Sequence, residues 1–115
     1  MTVAGLTAAG PGSAYAAPPA PAGCSGRPDK TVKFATGELR VYKKRGSACA
    51  VTLAKRPGPR RSMSVSLQAR GGRAKIDKGR FTRKAGPVTV HAHNRCVRAS
   101  GQVSGVGRST GWILC

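Results

Sequence analysis

SMSVSLQ, residues 62–68, alternates without a break. Met63, Val65 and Leu67 take every second position, and Ser62, Ser64, Ser66 and Gln68 stand between them. Successive side chains of an extended strand point to opposite faces, so this stretch has one apolar and one polar face. The same period of two continues on either side. Val32 and Phe34 alternate with Thr31 and Lys33, and Leu39 and Val41 with Arg40 and Tyr42. Cys49, Val51 and Leu53 alternate with Ala50, Thr52 and Ala54, and Val88, Val90 and Ala92 with Thr89, His91 and His93. Turn residues separate the runs: Thr36-Gly37, Arg45-Gly46-Ser47, Arg56-Pro57-Gly58-Pro59, Arg70-Gly71-Gly72, Lys78-Gly79, Ala85-Gly86-Pro87 and Ser104-Gly105. Arg95 to Gly101 is less regular, and Trp112-Ile113-Leu114-Cys115 reads as a last strand with Trp112 and Leu114 on one face. No stretch carries a helical stripe, and 16 Gly with 8 Pro disfavour long helices. The expected fold is all-β: a small antiparallel sandwich or barrel of about seven or eight short strands over residues 30–115.

A chain of 115 residues buries a modest core, so covalent staples are expected. Cys24, Cys49, Cys96 and Cys115 form an even set with no CxxC spacing, which suits two disulfides in an oxidising compartment. Three pairings are possible. Cys24–Cys49 with Cys96–Cys115 is preferred, because both close short loops and Cys96 and Cys115 lie near the ends of the last expected strands. The nested pairing is the alternative, because Cys49 and Cys96 are both expected to face inward.

Residues 1–23 carry no charge. A mildly apolar Val3–Ala9 is followed by Pro11-Gly12 and then by the small-residue pattern Ala14-Tyr15-Ala16. This order matches the later parts of a secretory signal cleaved after Ala16, so residues 1–16 are expected to be an N-terminally truncated signal remnant. Residues 17–29 read as a Pro/Ala-rich linker, and the expected location is extracellular. No apolar run approaches the roughly 18 residues that span a bilayer. The Ala/Pro-rich leader, its A-x-A junction and the four-cysteine β pattern look like the small secreted proteins of actinobacteria. That resemblance covers the whole chain in general style. It implies export and a compact β domain and carries no functional residue.

Charge is the strongest functional signal. Lys and Arg number 21 against 3 Asp and Glu, a net charge of +18. Such a field attracts polyanions. The densest stretch runs through Arg70, Arg73, Lys75, Lys78, Arg80, Arg83 and Lys84, interrupted by Asp77. Lys43-Lys44-Arg45 adds a cluster at an expected turn. The expected partners are extracellular polyanions: cell-wall polymers, nucleic acid or acidic polysaccharide. Sequence-specific nucleic-acid recognition is not expected, since Tyr42 is the one outward aromatic and no recognition motif is present. A monomer is expected.

HAHNRC, residues 91–96, brings two histidines and a cysteine together. With Val88, Val90 and Ala92 inward, His91 and His93 share the outward face and Cys96 turns away from them. Structural zinc takes four such ligands, and disulfides would leave none, so neither metal nor cofactor is expected. The chain has no GxSxG and no GxxxxGK[ST]; Gly105-Val106-Gly107 lacks the context of a dinucleotide loop. One catalytic constellation is carried forward, a small basic ribonuclease with Glu38 as base, Arg40 on phosphate and His91 or His93 as acid. A secreted antagonist acting on competitors is the other alternative, although no amphipathic helix with a clear apolar face is visible.

Overall fold

The structure, a computed structural model, describes residues 24–115. The signal and most of the linker reading lie outside the described residues. Eight strands and no helix are present among them. The strands are β1 (Lys30–Phe34), β2 (Gly37–Lys44), β3 (Ser47–Ala54), β4 (Arg61–Ala69), β5 (Lys75–Phe81), β6 (Lys84–His91), β7 (Val97–Val103) and β8 (Val106–Ser109). They form two four-stranded antiparallel sheets, β1-β2-β3-β6 (sheet I) and β5-β4-β7-β8 (sheet II). The sheets pack face to face, β2 over β7 and β3 over β4 and β7. The alternation is read as an all-β sandwich or barrel, and the two separate sheets make the observed fold the sandwich.

β4 lies at the interior of sheet II, with Met63, Val65 and Leu67 fully buried. Leu39, Val41, Ala48, Ala50, Ala85 and Val90 of sheet I meet them, together with Val97, Ala99 and Val103 of β7. This interdigitated layer is the core, and its apolar burial is the main favourable term. One group in it is unsatisfied: Thr52 is fully buried and its Oγ1 has no hydrogen-bond partner. A buried hydroxyl without a partner costs about 1–3 kcal/mol. Thr52→Val, which keeps the shape and removes the hydroxyl, is expected to raise stability by about 1 kcal/mol in urea unfolding. A midpoint shift to lower urea would contradict this.

β3 reverses an expectation. Cys49, Val51 and Leu53 face away from the core, and Ala48, Ala50, Thr52 and Ala54 face into it. Its sequence, SACAVTLA, is apolar or small on both faces, so alternation alone does not say which side is inward. The alanines leave room for the larger side chains of β4. On the outer side Val51 and Tyr42 are buried with Cys24 in a second, smaller cluster, with Cys49 and Leu53 packed against it. Cys24–Cys49 closes that cluster covalently, and Cys96–Cys115 joins the start of β7 to the C-terminal residues. This is the preferred pairing. Cys96 is half-buried beside the strand start, not an inward strand residue.

Other readings are corrected at the edges. Lys78-Gly79 is not a turn, because β5 runs through it and the Phe81 ring covers Gly79. Ala85-Gly86-Pro87 is a bulged part of β6, where register against β3 shifts between Ala50 and Thr52. β6 is an edge strand, where a proline without N–H breaks no ladder on its free side. Arg95–Gly101, read as irregular, contains most of β7. The C-terminal strand is reduced to an isolated bridge between Val97 and Ile113. Ile113 and Leu114 both pack on the core, while Trp112 is 37% exposed.

Candidate functional site

The few carboxylates are all engaged within the fold. Asp29 Oδ2 accepts the Lys43 backbone N–H at 2.6 Å, and Asp77 Oδ2 accepts that of Gly86 at 2.7 Å. Glu38 forms an ion pair with Arg40. Burial works against the charge on Arg40, but its hydrogen bonds to Glu38 and Tyr42 outweigh that and hold its pKa above the ordinary arginine value. With 3 Asp and Glu against 21 Lys and Arg, most cations of the surface have no carboxylate to oppose them.

Antiparallel order sorts those cations by the ends of the sandwich. The β2–β3 turn, the β4–β5 turn, the β6–β7 loop and the C-terminal residues share one end. Their contacts show it: Ala92 N donates to Gly46 O at 3.0 Å, and Arg70 N to Cys96 O at 2.9 Å. Lys43 Nζ donates to the carbonyls of Arg95 and Leu114, each at 2.6 Å. Lys44 and Arg45 are exposed at this end, as are Arg70, Arg73, Lys75 and Arg95. A cleft of about 400 Å³ opens here, lined by Ser47, Gly72, Arg73, Lys75, His91 and Arg95 among others, with no carboxylate in its wall. Such a wall suits a phosphate, sulfate or carboxylate group.

The stretch from Arg70 to Lys84 is therefore not one surface. β5 carries it along the sandwich, so Lys75 and Arg80 are separated by roughly 17 Å at about 3.4 Å per residue. Arg80, Arg83 and Lys84 reach the opposite end, where they line a shallow hollow with Arg60. Lys78 and Arg80 share the outer face of sheet II with Ile76, which is 63% exposed. Lys43 is tied to two backbone carbonyls and acts as a clamp on the C-terminal residues as well as a charge.

The ribonuclease constellation is not brought together. Glu38 and Arg40 share the outer face of sheet I, as expected, but Glu38 pairs with Leu53 while His91 pairs with Ser47. Those two β3 positions lie at opposite ends of the strand, roughly 20 Å apart. His93 is not a strand residue: β6 ends at His91, and His93 and Asn94 form a turn in which Asn94 has a φ of 53°. No group of three metal-ligating side chains occurs among the described residues.

Three exposed residues were not singled out from the sequence: Arg95, Arg98 and Trp112. The Arg98 guanidinium lies 4.6 Å from the centroid of the Trp112 ring, and that of Arg70 lies 5.6 Å from it. Arg98 had a signal in its parity, since it stands between the apolar Val97 and Ala99. Trp112 had none, because an aromatic at every-second spacing with Leu114 reads as core. Tyr42, taken as the outward aromatic, is on the outer face of sheet I but only 3% exposed. Comparisons with protein-family models, with curated proteins and with solved structures return no match.

Proposed function

We propose that the protein is a secreted, non-catalytic binder of extracellular polyanions, engaging them first through the basic end lined by Arg73, Lys75 and Arg95. The observation that carries this reading is the imbalance of partners. A chain with 21 Lys and Arg against 3 Asp and Glu cannot neutralise its own cations, and Glu38, Asp29 and Asp77 each already hold a partner within the fold. An unneutralised surface of this kind destabilises the isolated protein and gains most from a polyanion. The two disulfides are compatible with an oxidising, extracellular setting, and no helix among the described residues is long and apolar enough to cross a membrane.

Binding driven by counterion release weakens along a straight line in log salt, with a slope set by the number of contacted phosphates. The test is a salt series with duplex DNA. It compares Arg73→Gln/Lys75→Gln/Arg95→Gln with a matched set at the other end, Arg56→Gln/Arg60→Gln/Arg83→Gln. The first set is expected to lower the slope by about 2–3, at about 0.9 per lost contact, and the second by less than about 1. Equal losses would show that net charge alone governs binding. Cleavage of the polymer in the same tubes would refute the non-catalytic reading.

A further inference from the structure

Resting on the polyanion reading, we propose that the outer face of sheet II holds a sugar-binding subsite centred on Trp112, and that the preferred polymer is an acidic polysaccharide. The polar half of the SMSVSLQ alternation forms the floor. Ser64 and Ser66 on β4 stand beside Gln102 and Ser100 on β7, and Gln68 stands beside Arg98. Their short hydroxyl side chains offer both donors and acceptors, and Ser100 Oγ donates to Ser66 Oγ at 3.2 Å. A groove of about 350 Å³ opens over the Ser66, Gln68, Arg98 and Ser100 part of this floor, with Ser109 among its other lining residues.

Trp112 stands at the end of this floor and is held there. The bridge of Ile113 to Val97 and the Cys96–Cys115 disulfide fix its backbone, and Arg98 and Arg70 approach its ring. Arg98 is itself oriented by donating to Gln68 Oε1 at 2.8 Å. Such preorganisation reduces the ordering cost of binding. An exposed indole, two guanidinium groups and a row of hydroxyls match an acidic sugar group by group. The C–H face of a pyranose packs on the part of the indole that the two guanidinium groups leave exposed, its hydroxyls exchange hydrogen bonds with the serines, and its carboxylate or sulfate takes the arginines.

Single-stranded nucleic acid fits less well, because successive bases need successive stacking platforms. Among the described residues Trp112 is the one exposed aromatic; Tyr42 is buried, and Phe34 and Phe81 are half-buried.

Trp112 is the only tryptophan of the chain, so its emission reports this site directly. The full oxidised protein is titrated with polygalacturonate, with inorganic polyphosphate and with single-stranded RNA at matched charge concentration, each over a salt series. Polygalacturonate is expected to remain bound at salt that releases the other two, and it alone is expected to shift Trp112 emission at such salt. Trp112→Ala is expected to weaken polygalacturonate about tenfold, and Trp112→Tyr, which keeps a ring, by less than about threefold. Polyphosphate affinity is expected to change less than about twofold in either variant. Circular dichroism checks the fold of both, and the wild-type emission needs no variant. Identical salt release of all three polymers with silent emission overturns the sugar subsite and leaves the polyanion reading standing. Preferred retention of RNA with a Trp112 response overturns the sugar assignment alone. Failure to bind any of the three at low salt overturns both readings.

Discussion

Reduction of both disulfides is expected to unfold the protein at neutral pH and moderate salt. The bridges span 25 and 19 residues, and loops of that size each constrain the unfolded chain by about 3 kcal/mol. Their sum, about 6 kcal/mol, matches the whole stability of a domain this small, about 5–10 kcal/mol. The net charge of +18 adds repulsion that the reduced chain has less to resist. The two bridges are not equivalent. Cys24 is 3% exposed and covers the outer cluster of Tyr42 and Val51, so Cys24→Ser/Cys49→Ser also uncovers apolar surface. Cys115 is exposed, so Cys96→Ser/Cys115→Ser is expected to cost less and to free Trp112 from its place. Far-UV and near-UV circular dichroism during reduction measure the first effect, and urea midpoints of the double variants measure the second. Native spectra after full reduction would refute the first claim, and a larger loss in the Cys96/Cys115 variant would refute the second.

Gly101→Ala is expected to lower stability by about 2–3 kcal/mol, against the usual direction for such a change. Gly101 is a buried residue in the interior of β7, and its φ is not in the left-handed region. On backbone grounds alone alanine would stabilise the strand, by about 0.4–1 kcal/mol through the unfolded state. The clash reverses the sign. A Cβ at Gly101 would fall on the Thr52 hydroxyl and come within 3.3 Å of Leu39 Cδ1. Both are fully buried core side chains, so neither can move aside without disturbing the layer between the sheets. Relief should come from across the gap: in a Thr52→Ala background the cost of Gly101→Ala is expected to fall below about 1 kcal/mol. A double-mutant cycle in urea measures this coupling. Strict additivity would mean that the close approach of β3 and β7 at Gly101 is not what limits this position.

The legible part of this protein was its local pattern. In β4 the two faces differ sharply, Met63, Val65 and Leu67 against serines and Gln68, so both the strand and its orientation followed from residue order. In β3 the strand was legible but its orientation was not, because both faces can be buried. The candidate site was legible only as charge. Clusters at residues 43–45 and 70–75 are distant in sequence, and nothing local states that their turns share one end of the sandwich. Arg95 and Arg98 stood outside both clusters.

By itself, then, the sequence determined the strand period, the turns that separate most of the runs and a surface of overwhelmingly positive charge, and it favoured the short-loop cysteine pairing over two others. These depend on neighbours in the chain: alternation, turn chemistry, loop length and composition. The tertiary structure alone decided which face of β3 meets the core, how the basic residues divide between the two ends, and that Trp112 stands exposed beside Arg98 and Arg70. Each of these depends on which strands become neighbours. Strand neighbours are set by the packing of a whole layer of side chains, which no local stretch contains.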